Sequence, residues 1–197
     1  MKKIILTLIT IFTISLGYSQ ESKFYLGVGV GFASNGGDFS SDNNYKSGIN
    51  INFLNTGYRF SDSIGATLNL SSSGHAIDGT DSAIGIGVFS VGPMFTLPIG
   101  GISLDIKPQY ALSMKGVYRG DDAANSPSGN LESIELSGSG FLLANSFVIG
   151  DGEGLDFSVD LDFLSGKFNE LSGPGGTIDD DSKYSSLRVG VGMRYNF

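Results

Sequence analysis

The fifteen residues from Lys183 to Phe197 constrain this chain more than any other stretch, because their alternation suits no ordinary soluble domain. Ser185, Leu187, Val189, Val191, Met193, Tyr195 and Phe197 fall on one side, and Tyr184, Ser186, Arg188, Gly190, Gly192, Arg194 and Asn196 on the other. A period of two is a β-strand. One face is an apolar band ending in an aromatic pair. The other is mostly glycine and two arginines, which water or a buried acid must satisfy. A soluble sandwich turns the apolar band inward and solvates the arginines; a membrane barrel does the reverse.

Whether a barrel is possible depends on what precedes this strand. Met1 to Ser19 reads as a secretory signal, with Lys2 and Lys3 as its charged end, Ile4 to Leu16 as its apolar run and cleavage expected after Ser19. That run is broken by threonines and is shorter than the ~20 residues a spanning helix needs. Residues 20–197 then amount to one domain. They hold no cysteine, hence neither a disulfide framework nor a lipid-attachment site. With no other apolar run of spanning length, entry into a membrane requires a closed barrel. The net charge of −8 argues against a nucleic-acid partner, which needs a basic face.

Seven further segments read as strands. Lys23–Ala33 puts Phe24, Leu26, Val28, Val30 and Phe32 outward and leaves an inner face of mainly glycine, which gives large neighbours room in a narrow lumen. Lys46–Phe60 slips phase near Phe53-Leu54, where a bulge restores alternation and turns Arg59 inward. Ile64–Ser71 faces Ile64, Ala66, Leu68 and Leu70 outward. Ala83–Leu97 is read with a slip near Val88-Phe89, placing Ile84, Ile86 and Val88 outward. Ile102–Lys115 alternates throughout, with Tyr110, Leu112 and Met114 outward and Asp105, Lys107 and Lys115 inward. Leu131–Ile149 is ambiguous in register between Leu142/Ala144/Val148 and Phe141/Leu143/Phe147. Leu155–Leu164 faces Phe157, Val159, Leu161 and Phe163 outward, with Asp156, Asp160 and Asp162 inward.

Three short turns, at 61–63, 98–101 and 150–154, alternate strictly with four long polar loops at 34–45, 72–82, 116–130 and 166–182. An even number of strands with turns at one end and loops at the other is the plan of single-chain transmembrane barrels. The fold expected is therefore all-β: an eight-stranded antiparallel up-and-down transmembrane β-barrel over residues 20–197. Soluble eight-stranded barrels share the count but solvate the outside.

Thr56-Gly57-Tyr58-Arg59-Phe60-Ser61-Asp62-Ser63, Phe89-Ser90-Val91-Gly92-Pro93 and Val191-Gly192-Met193-Arg194-Tyr195-Asn196-Phe197 resemble the strand ends of small bacterial outer-membrane barrels, similar in plan to outer-membrane proteins A, X and W and the opacity-type, porin-like proteins. That resemblance implies an outer-membrane location with both termini periplasmic. It also implies that Tyr195 and Phe197 act as the insertion signal read by the barrel-assembly machinery, with outer-membrane lipid around the barrel.

The inward charges are Arg59, Lys107, Arg188 and Arg194 against Asp105, Asp156, Asp160 and Asp162. The last two strands are adjacent, so Arg188 and Arg194 are expected to meet the acids of the seventh strand. An eight-stranded interior is just wide enough for side chains to fill. The leading expectation is a polar plug and a structural or surface-interaction role, with an extracellular ligand held by the four loops. The alternative is a narrow passage for small molecules. A third is a barrel-mouth hydrolase using His75, the single histidine, but Ile77 stands where the barrel deacylases carry serine, and an exposed loop histidine is the simpler reading. Asp121-Asp122 and Asp179-Asp180-Asp181 lack the spaced ligands of a calcium loop, and no helix pattern follows Gly27-Val28-Gly29-Val30-Gly31 to make it a nucleotide site. No enzymatic activity, metal or cofactor is expected.

Overall fold

The computed structural model describes residues 23–38, 45–80, 82–119, 134–173 and 175–197. The leader expected over 1–19 and most of the loop expected over 116–130 lie outside these residues. Nine strands follow in order: β1 Phe24–Gly36, β2 Gly48–Arg59, β3 Ile64–Ala76, β4 Ala83–Ile99, β5 Ile102–Arg119, β6 Ile134–Ile149, β7 Gly154–Gly173, β8 Gly176–Asp179 and β9 Lys183–Asn196. Each pairs antiparallel with its neighbour in the sheet, and β1 closes on β9 from Tyr25↔Asn196 to Gly36↔Ser185. Because β9 pairs with β7 and β7 with β6, eight long strands form the ring. The four-residue β8 pairs with the far end of β7, from Glu170↔Asp179 to Gly173↔Gly176.

Both chain ends of the barrel lie with the short turns. Phe60 and Ser61 both donate their N–H to Ile64 O at 2.9 and 3.1 Å, and Gly100 takes φ +64° between β4 and β5, a conformation that suits glycine. At the opposite end three strands run further than expected. β3 continues to Ala76 through what reads as loop, β5 reaches Arg119, and β7 with β8 forms a hairpin out of most of 166–182.

The outer surface is apolar on all sides, with Phe32, Ile51, Phe53, Tyr110, Phe141, Phe157, Phe163 and Val191 among its exposed side chains. β1, β3, β7 and β9 keep the phase their sequences show. β2 has its bulge at the expected place, between Asn52 and Leu54. β6 resolves with Phe141, Leu143 and Phe147 outward and Leu142, Ala144 and Val148 inward. Two expectations are corrected. β4 alternates without a slip, so Ile84, Ile86 and Val88 point into the lumen and are fully buried. The irregularity lies in β5 instead, where Leu112 and Ser113 bulge between Ala111↔Gly140 and Met114↔Gly138; this turns Met114 inward and Lys115 outward.

Val191 lies near the middle of β9 between Val30 and Val159, three valines side by side on the outer face. Arginine near mid-membrane on a barrel's lipid face costs about 2–4 kcal/mol. Val191→Arg should therefore reduce the assembled fraction, read as loss of heat-modifiable migration on gels. Full assembly of this variant would contradict the register of β9.

Candidate functional site: a lumen in two halves

At the turn end the lumen is held by one arginine. Arg194 and Asp156 are direct cross-strand partners on β9 and β7, and Arg194 Nε lies 3.3 Å from Asp156 Oδ2. Its Nη1 reaches across the lumen to Asp105 Oδ2 on β5 at 2.5 Å, and Arg59 Nη2 on β2 approaches the same oxygen at 3.8 Å. Thr96 Oγ1 on β4 donates to Asp105 Oδ1 at 2.6 Å, while Asn196 Nδ2 and the Gly152 amide donate to Asp156 at 2.9 and 3.3 Å. Five strands are thus tied through two carboxylates that are wholly buried. Charge-assisted hydrogen bonds of this kind are the strong ones.

Below this network the Tyr25 ring takes the guanidinium of Arg194 at 4.9 Å from its centroid, and the Tyr25 hydroxyl meets Asn55 Oδ1 and Thr67 Oγ1 at 3.1 and 3.2 Å. Gly57 makes this possible, since a Cβ there would stand 2.5 Å from Tyr25 Cε1. A vestibule of about 450 Å³ opens at the turn end and is floored by Arg59, Asp156 and Arg194.

Midway up, the expected pairings divide. Lys107 Nζ donates to Ser146 Oγ at 2.7 Å and Ser90 Oγ to Gln109 Oε1 at 2.5 Å. Asp162 accepts the Asn145 amide at 3.2 Å, and Asp160 the Ser158 hydroxyl at 3.2 Å. Arg188 stands directly opposite Asp162 on the neighbouring strand, yet among the described residues it makes no ion pair; its Nη1 donates to Ser71 Oγ at 3.0 Å. Arg194 therefore meets an acid of β7 in direct contact and Arg188 does not.

Towards the loop end the interior turns apolar, which was not expected of a lumen filled with charge. Ile84, Ile86 and Val88 from β4, Ala111 and Met114 from β5, Leu136, Leu142 and Ala144 from β6, Leu164 and Phe168 from β7, and Tyr184 from β9 form one buried cluster. Met114 fits because Gly140 and Gly166 face it, and a Cβ on Gly166 would collide with its Sδ. The partly buried Tyr45 and Leu171 pack over the cluster, and burial with the nearby Tyr118 pushes the Tyr45 phenol up to about 12.

His75 is corrected from an exposed loop residue to a buried one on the inner face of β3. Its Nε2 lies 2.9 Å from Ser73 Oγ and its Nδ1 3.2 Å from Lys46 O. A serine beside a histidine has the reach of a nucleophile–base pair. Here both are about 1% exposed, and the partner on Nδ1 is a backbone carbonyl, so the pair clasps β3 to the start of β2. Asp78, the nearby acid, is exposed and bonded to Lys46 at 2.7 Å, and that ammonium holds its carboxyl below the usual range.

The arrangement is that of a small eight-stranded β-barrel, similar in fold to outer-membrane barrels. No protein-family model matches the chain and no curated protein matches it in sequence, so the likeness is carried by shape. Neisserial surface protein A superposes with a TM-score of 0.55 at 12% identity, covering 88% of this chain and 97% of that one. OprG of Pseudomonas aeruginosa gives 0.53 at 15% identity, covering 90% and 97%. Ail, the attachment invasion locus protein of Yersinia pestis, gives 0.51 at 16% identity, covering 89% and 99%. These values establish a shared fold, in agreement with the resemblance drawn from the strand ends.

Removing one partner of a buried pair leaves an uncompensated charge and costs on the order of 3–5 kcal/mol, while replacing both partners by packed apolar groups can be neutral. Arg194→Met should lower the unfolding midpoint of the refolded barrel in urea, and addition of Asp105→Leu should recover part of the loss. A single variant as stable as the parent would mean that the turn-end charges are solvated rather than buried.

Proposed function

We propose that this chain is a bacterial outer-membrane protein with both termini periplasmic, a closed lumen and a structural or surface-interaction role exercised by its external loops. The observation that carries this reading is the double obstruction of the interior: the Arg194 network spans the turn end, and the apolar cluster fills the loop end. An aqueous channel has no use for a buried isoleucine–methionine–phenylalanine layer. The narrow passage finds its support in the 450 Å³ vestibule, but that space ends on Arg59 and Arg194.

The loops indicate the chemistry of a partner. The stretches 34–45, 72–82, 116–130 and 166–182 hold ten acidic residues against Arg119 and Lys167, half of the chain's twenty acids. A surface of that sign favours a basic partner through complementary potentials. Ail has been crystallised with sucrose octasulfate, a heparin analogue; a polysulfated ligand is poorly matched to the loops of this chain.

Tyr195 and Phe197 are assigned here as the insertion signal. Both rings lie on the outer face with centroids 4.9 Å apart, Phe24 adds a third ring at 5.6 Å from Phe197, and the Phe197 amide bonds to Phe24 O at 2.9 Å. Aromatic girdles of this kind mark the interface of a barrel with water.

In planar bilayers the protein should show no porin-like conductance steps. Arg194→Ala should remain silent as well, because the apolar cluster is untouched; steady conductance in the parent protein would replace this reading by the passage. Deleting Phe197 should slow insertion while leaving the stability of assembled barrel nearly unchanged, and unaltered insertion kinetics would remove the signal assignment.

A further inference from the structure

Arg188 presents an unresolved electrostatic problem in the middle of the lumen. Its side chain is about 2% exposed, its Nη1 is bonded to Ser71, and the Tyr184 hydroxyl is a further side-chain partner, yet among the described residues no acceptor stands in hydrogen-bond geometry to Nε or Nη2. Buried donors of a cation left unpaired are costly and rare. On the same side of the lumen three buried acceptors are equally orphaned: Asp160 Oδ1, Asn50 Oδ1 and Asn52 Oδ1. These side chains converge on one small cavity, which Arg188, Asp160, Asp162, Asn50 and Asn52 line together with Gly29 and Gly190.

The cavity exists because β1 and β9 present glycine there. Asp160 Oδ2 lies 3.6 Å from where a Cβ of Gly29 would stand and 3.1 Å from that of Gly192, so the acid leans towards a wall without side chains. The space open to the centre of a water is about 10 Å³. That is close to the ~10–15 Å³ one buried water requires, and such a water needs two to four polar partners.

We propose that this chamber is a binding site for one buried water that joins Arg188 to Asp160 and the Asn50–Asn52 pair. The ligand must accept from Arg188 Nε–H and Nη2–H and donate to Asp160 Oδ1 and an asparagine Oδ1. Water does both, whereas an ammonium has no acceptor and a halide no donor. Charge points the same way. Asp162 lies within electrostatic reach of Lys107, Arg188 and Asp160, two acids with two bases, so the cluster is already balanced and favours a neutral guest. The bridge also accounts for the register-opposed Arg188 and Asp162 staying out of direct contact.

The test is oxygen-17 magnetic relaxation dispersion on the full chain in micelles, which counts long-lived internal water, together with a high-resolution crystal structure. The parent should show the amplitude of at least one such water and density within hydrogen-bond distance of both Arg188 and Asp160 Oδ1. Asn52→Leu, which removes an acceptor and fills the space, should lose one water's amplitude. Ser165→Ala, on the outer face of β7, should keep it. Direct Arg188–Asp160 or Arg188–Asp162 contact with no density between them would overturn the proposal, as would density of a halide whose occupancy follows salt, or an amplitude that Asn52→Leu leaves intact.

Discussion

Closure of the backbone is the constraint on which everything else in this protein depends. In hydrocarbon no N–H or C=O can be left for water to satisfy, so a strand-built protein must leave no lipid-facing edge. The contact between β1 and β9, unbroken from Tyr25↔Asn196 to Gly36↔Ser185, is where the chain meets this demand. Closure in turn fixes a narrow interior, and the interior must be filled without overpacking. Glycines 27, 29 and 31 on β1 and 190 and 192 on β9 form a thin wall at that seam, where strand backbones approach so closely that a Cβ on Gly31 would strike Val189 O. Large side chains arriving from the opposite wall use the room that the thin wall leaves.

The two halves of the lumen solve the filling problem by different physics. The loop-end cluster gains from apolar burial without directional demands, and a bulge in β5 brings Met114 into it. The turn-end network is directional. Two buried carboxylates are acceptable there only because Arg194, Arg59, Thr96, Asn196 and a backbone amide all reach them. The first half contributes bulk and the second sets alignment, since a one-residue slip of β9 against β7 would turn Arg194 out into lipid and Tyr195 into the lumen.

How much of this was legible in the sequence follows from the same division. Where the lumen is polar, alternation separates inside from outside, and the faces of β1, β3, β7 and β9 could be read directly. Where the lumen is apolar, both faces of a strand satisfy a hydrophobic pattern. Ile84, Ile86 and Val88 therefore read as lipid-facing although they are core, and β4 was credited with a slip that belongs to β5. Leu112-Ser113-Met114 continues an alternating pattern while its backbone bulges, so nothing in composition marks the change. His75 was misplaced for a related reason: Ser72 to Gly74 is polar enough to pass for loop, yet in a lumen polar residues are what an inward face carries. Which acid each arginine meets depends on tilt and reach across the barrel. Arg194 contacts Asp105 from three strands away around the ring, a relation that adjacency along the sequence does not reveal.

A rigid, filled cylinder leaves chemical variety to its rim. Core packing and a charge network across five strands resist rearrangement, whereas loops at the end of a barrel accept insertion and substitution without touching either. The rim here is not merely chain connection. β7 runs past its last pairing with β9, still paired with β6, and folds back as β8, bringing Glu170 and Asp179 side by side, with Lys167 bonded to Asp181 at the base of the hairpin. Like charges directly opposite in a strand pair are destabilising, so this hairpin holds an acidic pair that the fold itself does not need.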